Sequence, residues 1–187
     1  MKDLLIVLTV LAPGYRRRSS PLAKDAQDKD CRFTPPAIVQ AIHSAFGKVD
    51  LDPCAHSRSP MQADNQIRKE TGGDGLNEEW EGRLVFVNPP YSRASQWLAK
   101  VNAEWDKGKI DTLLCLSNAK NDAAALHDAL GGGAWVFLFK GRLKYVKPDG
   151  TSEPSPQASM MIAYGTSQFQ RETFAELIAG SWLALAP

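Results

Sequence analysis

Asn88-Pro89-Pro90-Tyr91 joins residue types that can hold a planar amine and make it nucleophilic. Two consecutive prolines fix two φ angles and delete two backbone donors. The rigid loop that remains offers acceptors, the Asn88 side-chain oxygen and the Pro89 carbonyl, beside the aromatic face of Tyr91. Two convergent acceptors can take both N–H bonds of an exocyclic amine. That draws the nitrogen lone pair out of ring conjugation and aims it at an electrophile. The flat ring bearing the amine would stack on Tyr91, a contact worth roughly 1–3 kcal/mol per base.

The flanking pattern supplies the elements that position this loop. The apolar run 84–87 reads as a buried strand. Ser92 is a suitable N-cap for a helix beginning at Arg93, with Ala94, Trp97, Leu98, Val101 and Trp105 at helical spacing and Gly108 as its stop. The tetrapeptide therefore sits at the carboxyl end of a strand, where open α/β sheets bind ligands. Upstream, Thr34 reads as an N-cap with Pro35 at the first helical position. Ile38, Ala41, Ile42, Ala45 and Phe46 make one apolar face, closed by Gly47. A strand over 49–52 ends in Asp52-Pro53-Cys54-Ala55, and residues 56–73 are polar and irregular. Further strands are expected at 112–116, 134–139 and 159–163. Asp122 is expected to cap a helix through Leu130, residues 148–157 to form a loop, and a last helix to span about 172–179. Strands and helices alternate, so an α/β fold with a largely parallel sheet covered by helices follows.

With 187 residues the chain has the length of one domain. Residues 1–30 read as an N-terminal extension, open to being disordered, and 31–187 as a single domain. The net charge of +1 neither announces nor excludes a nucleic-acid partner, so any such binding needs a local basic patch. Cys31, Cys54 and Cys115 are odd in number and contain no CxxC pair. That argues against a disulfide frame or a zinc site and for a reducing cytoplasm. The apolar run 4–12 is too short to span a bilayer. Two basic segments could meet phosphates. Arg16-Arg17-Arg18 lies in the extension, and Lys140, Arg142 and Lys144 alternate with Gly141 and Leu143. On a strand that alternation puts the three cations on one face, Leu143 and Tyr145 on the other. An edge strand guarded by lysines would show the same pattern.

Six blocks in order now resemble a known family. They are Phe33-Thr34-Pro35-Pro36, Asp50-Leu51-Asp52-Pro53-Cys54-Ala55, Gly73-Asp74-Gly75-Leu76 with Trp80, Asn88-Pro89-Pro90-Tyr91-Ser92, Gly141-Arg142-Leu143-Lys144-Tyr145 and the run 159–163. Together they are similar to the phage DNA N-6-adenine methyltransferases, small Dam-like enzymes. The likeness covers roughly residues 31–165 and none is claimed for 1–30. It implies a Rossmann-like S-adenosylmethionine-dependent methyltransferase fold, S-adenosyl-L-methionine as methyl donor, and N6 of adenine in double-stranded DNA as acceptor. It assigns catalysis to Asn88, Pro89, Pro90 and Tyr91. The cofactor would be held by Thr34, Pro35, Asp52, Pro53 and Asp74. No metal or membrane is implied, and a monomer or weak dimer in a bacterial cytoplasm, encoded by phage or prophage, is expected.

The chain also departs from the pattern. No glycine-rich turn follows Asp52. No acid stands clearly after a second strand to hold the ribose, Asp64 and Glu70 being weak candidates. Ser117-Asn118 stands where relatives often have proline. Two other classes stay open. One is transfer to a different amine, in protein glutamine or an RNA base; the other is a catalytically inactive DNA-binding remnant.

Overall fold

The protein is described by a computed structural model that covers residues 30–120 and 122–184. The apolar run 4–12, Arg16-Arg17-Arg18 and nearly all of the expected extension lie outside the described residues. In chain order the elements are α1 (Pro36–Phe46), β1 (Val49–Ala55), β2 (Ala63–Arg68), β3 (Gly82–Val87), α2 (Ala94–Asp106), β4 (Ile110–Asn118), α3 (Ala124–Gly131), β5 (Trp135–Phe139), β6 (Lys144–Val146), β7 (Ser152–Pro154), β8 (Ser159–Tyr164), α4 (Gln168–Leu177) and β9 (Gly180–Leu183).

Among the described residues, seven strands form one sheet in the order β2-β1-β3-β4-β8-β5-β9, and β6 and β7 form a separate hairpin. β2, β1, β3 and β4 are mutually parallel. β8 inserts antiparallel between β4 and β5, and β9 runs antiparallel to β5 on the outer edge. Five of the seven strands thus point one way, so the sheet is mostly parallel, in line with the expected α/β fold. The middles of the central strands, 84–87 in β3, 113–116 in β4 and 160–163 in β8, are apolar at consecutive positions because both faces are covered. Leu84 and Phe86 join Leu114, Leu116 and Phe137 beneath α1 and α4. Val85 and Val87 join Leu113, Cys115 and Ile162 beneath α2 and α3. Each such fully buried side chain contributes about 1.5–3 kcal/mol.

Several boundaries differ from the sequence expectation, each for a local reason. α1 starts at Pro36 with Pro35 as its N-cap, so Thr34 is not the cap. A residue before proline is pushed out of the helical region, and Pro35 precedes Pro36, with ψ at 138°. Ser92 is not a cap either. Residues 91–93 form one tight 3-10 turn, and α2 begins at Ala94. β1 runs on through Pro53, with its pairing to β2 irregular between Asp52 and Ala55. Proline is tolerated there because an irregular position needs no ladder donor. α3 lacks a side-chain cap, so Asp122 does not fill that role. α4 begins at Gln168, four residues early, through a capping box between Ser167 and Gln170. β2 and β9 are edge strands; β2 falls where the sequence predicts irregular chain, and β9 lies beyond the last expected element.

β1 leads outward to β2, while β3 and β4 build on its other side. The crevice at the carboxyl ends of β1 and β3 is therefore the switch point of the sheet, where such folds hold ligands. Asp52 stands where the β1 ladder becomes irregular, and Asn88 directly follows the last residue of β3.

Candidate active site

A cleft of about 350 Å³ opens at this switch point, within the usual size of small-molecule sites. Thr34, Asp52, Pro53, Asp74, Asn88 and Pro90 all line it, although they come from four separate stretches of chain. Pro35, Pro89 and Tyr91 do not. Pro35 is taken up as the helix cap and Pro89 is buried behind the loop. Tyr91 turns toward the β6–β7 hairpin, where its hydroxyl and the Ser155 hydroxyl share a 2.9 Å hydrogen bond. Its ring meets the buried Tyr145 at an interplanar angle of 85°.

Asp52 is the most unusual charge in the cleft. It is buried, its Oδ1 accepts the Cys54 backbone N–H at 2.9 Å, and no cationic side chain of the described residues pairs with it. Burial pushes its carboxyl up to about 7, against the one hydrogen bond that lowers it. A buried carboxylate without a counter-cation is costly unless the site receives a positively charged ligand.

Asn88 is oriented from outside its own loop. Its Nδ2 donates to the Arg32 backbone carbonyl at 3.0 Å. A carbonyl can only accept, so the amide nitrogen faces Arg32 and Oδ1 is left as the acceptor for a substrate. The following turn closes from Arg93 N–H onto the Pro90 carbonyl, so the Pro89 carbonyl is not used by it. Arg32 itself lay outside the sequence-derived site, since no pattern links position 32 to position 88.

The loop 73–80 closes the far wall. A side-chain carbon at Gly75 would fall 1.9 Å from the Pro53 carbonyl oxygen and 2.9 Å from Trp97, so only glycine lets the loop lie this close to β1. Trp80 pins the loop by donating from Nε1 to the Gly75 carbonyl at 2.8 Å. Asp74 lines the cleft while its Oδ1 and Oδ2 accept from Leu76 N–H and the Asn77 amide. It is a turn-forming residue that also borders the cleft. Trp97 borders the cleft too, with an Nε1 donor that has no hydrogen-bond partner.

His56 and Cys54 are not suited to proton or covalent chemistry. Both His56 nitrogens are engaged, Nδ1 by Arg58 N–H at 3.0 Å and Nε2 by Glu70 at 3.1 Å. Burial pushes the Cys54 thiol well above its ordinary range, so it stays protonated and unreactive. Glu70 also accepts from the Ser57 N–H and hydroxyl, and Asp64 pairs with Lys48 at the amino end of β2. Neither weak ribose candidate lines the cleft.

The basic segment departs from its expected geometry. Lys140, Arg142 and Lys144 are all exposed, but only Lys144 belongs to a strand. Gly141, at φ +84°, breaks the extended run before it, so period-two alternation does not align the three cations. Arg142 instead donates to the Ser155 carbonyl at 3.4 Å, the same residue whose hydroxyl meets Tyr91.

Among the described residues, no group of three or more His, Cys, Asp or Glu side chains could hold a metal ion, and no helix is long and apolar enough to cross a membrane. A family model described as DNA N-6-adenine-methyltransferase (Dam) matches residues 22–176. The match reaches further at both ends than the six-block resemblance, and it takes in part of the segment before residue 31. Among solved structures, the chain is similar to an inferred RNA methyltransferase from Pyrococcus horikoshii, at 12% identity over 70% of this chain and 80% of that chain, with a TM-score of 0.44. No curated protein matches the chain.

Proposed function

Because the chain belongs to the DNA N-6-adenine-methyltransferase (Dam) family, it is an adenine-specific DNA methyltransferase, and we propose that it takes its methyl group from S-adenosylmethionine bound in the β1–β3 cleft and receives an extruded adenine at Asn88-Pro89-Pro90-Tyr91. The observation that carries this is the meeting, in one cleft, of a buried Asp52 that pairs with no cation among the described residues and an oriented Asn88 acceptor.

The residues fit the cofactor. S-adenosylmethionine, when bound, supplies a methyl group on a positively charged sulfur, and it carries a second cation on its amine. Asp52 offers the missing countercharge, with Thr34, Pro53 and Asp74 as further walls. Pro35 would act only by starting α1 behind Thr34. On the acceptor side, extruding adenine from the duplex costs a few kcal/mol. Asn88 Oδ1 and the Pro89 carbonyl then accept the two N6 protons, and Tyr91 stacks on the base. Hydrogen bonds that strengthen as N6 pyramidalises, together with positioning, are the main catalytic contributions. The three free cysteines suit a reducing bacterial cytoplasm, and the family likeness suits a phage- or prophage-borne role in DNA modification, as in restriction–modification.

Labelled S-adenosylmethionine, purified protein and duplex DNA should yield N6-methyladenine on digestion, and sequencing the methylated adenines would give the recognition site. Label appearing on RNA or on protein glutamine, with none on DNA adenine, would overturn the proposed acceptor site.

We further propose that Lys140, Arg142 and Lys144 meet DNA phosphates around the hairpin. The double variant Arg142→Ala, Lys144→Ala should weaken duplex binding and lower the slope of log K against log salt by about 0.9 per lost contact, with cofactor affinity retained. An unchanged slope would leave these residues as a guard of the hairpin surface.

A further inference from the structure

The Tyr91 ring, proposed above as the platform for the target base, is already covered on one side. The Arg32 guanidinium carbon lies 5.3 Å from the ring centroid. A base stacked between the two would need a van der Waals separation of roughly 3.5–4 Å on each side, about 7 Å in all. Adenine therefore cannot enter this gap while Arg32 keeps its place.

The anchoring of Arg32 tells which part can move. Its backbone is held firmly: the carbonyl accepts from Asn88 Nδ2, and the adjacent Phe33 pairs with Val146 in both directions, at 2.8 and 3.1 Å. The guanidinium is tied at its outer end to Glu153 on β7, at 3.2 Å, with both side chains partly open to solvent. Glu153 is shared, since its other oxygen pairs with Lys147 at 2.5 Å. If Arg32 leaves, Glu153 keeps a cation. Lys147 and Arg32 both hold the Glu153 carboxyl below the ordinary carboxylate range, so it is ionised and available as an anion that a phosphate could replace.

We propose that Arg32 is a phosphate-exchanged latch on the target-base site: in the free protein Glu153 holds its guanidinium over Tyr91, and on DNA binding a backbone phosphate draws it away as adenine takes its place on the ring. This rests on the reading of Tyr91 as the base platform. Glu153 acts as an internal stand-in for the phosphate, and the Arg32 carbonyl goes on orienting Asn88 throughout.

The test is a double-mutant cycle on the Kd for a duplex oligonucleotide, with S-adenosylmethionine binding as the control for a folded site. Glu153→Gln should tighten DNA binding roughly two- to fivefold, the scale of a partly exposed ion pair removed from the unbound state. Arg32→Ala should weaken it and lower the salt slope by about 0.9, while Arg32→Lys should keep that slope. In the Arg32→Ala background the Glu153→Gln gain should shrink by at least half on a logarithmic scale, because the two residues act on one contact. An equal gain in both backgrounds would reduce Glu153 to a general charge effect and overturn the latch. So would weaker DNA binding by Glu153→Gln, which would mark the pair as a tether of the hairpin. Absence of adenine methylation by the unaltered protein would instead strike at the functional assignment, whatever the cycle gives.

Discussion

Asn88→Ala is expected to lower kcat roughly 10²–10³-fold, by analogy with the loss of one preorganised polar contact at a transition state, while leaving S-adenosylmethionine affinity little changed. The amide sits partly buried at the carboxyl end of β3 and is locked by its 3.0 Å bond to the Arg32 carbonyl. Alanine removes the acceptor for N6 and leaves that carbonyl without its donor. Because the contact strengthens only as the amine becomes tetrahedral, the loss should appear in kcat and kcat/KM together rather than in KM alone. Asn88→Asp separates the two parts of the role. It keeps an acceptor for the amine but has no proton to give the Arg32 carbonyl when ionised, so its rate should fall between the alanine variant and the unaltered protein. Single-turnover methylation of a duplex oligonucleotide measures this, and near-normal turnover by Asn88→Ala would remove the residue from the chemistry.

Asp52→Asn should move stability and cofactor affinity in opposite directions. Without ligand, the folded protein keeps Asp52 protonated up to about pH 7, whereas the unfolded chain releases the same proton near the ordinary value of 3.8. Between those values the native state binds the extra proton, so stability falls as pH rises. The contribution is fully present below pH 3.8 and is lost by about pH 7; a three-unit shift at 1.36 kcal/mol per unit makes it about 4 kcal/mol. Asparagine preserves the acceptor for Cys54 N–H and carries no charge to bury. Its thermal midpoint should therefore exceed that of the unaltered protein at pH 8 and show a flatter decline from pH 5 to 8. Affinity for S-adenosylmethionine should fall roughly 10–100-fold, the scale of a charge-assisted hydrogen bond. In the unaltered protein that affinity should also drop as pH falls below 7 and Asp52 takes up its proton. Calorimetric titration across pH tests this. Equal affinities and flat profiles for both proteins would mean that the cofactor's cation is not held by Asp52.

The elements that position both residues are largely legible in the sequence. The runs at 84–87, 112–116, 134–139 and 159–163 are apolar at consecutive positions apart from the leading Thr112 and Ser159, and that signals strands covered on both faces; all four contribute to the central sheet. Gly47 and Gly108 end helices as expected because both hold positive φ values. The capping box at Ser167 and Gln170 is equally legible in the sequence and sets the start of α4 four residues before the expected one. β2 left no comparable trace. It pairs only with β1 at the sheet edge, and its largely polar side chains are half-buried or exposed, so hydrophobic periodicity had nothing to report.

By itself, the sequence determined which residue types the site would contain. Paired prolines, an amide, an aromatic ring and an aspartate before a proline act through their own covalent geometry and donors, and these are visible one residue at a time. The tertiary structure alone decided what faces them. The Arg32 carbonyl that orients Asn88 lies 56 positions away along the chain, and the Ser155 hydroxyl that meets Tyr91 lies 64 away. The same holds for the absence, among the described residues, of any cation paired with Asp52, and for the fate of Lys140, Arg142 and Lys144 once Gly141 breaks the extended run. Periodicity along a chain records whether a side chain is buried and on which face. It does not record the partner, because partners at such separations are set by the strand order and by the docking of the hairpin, not by neighbouring sequence.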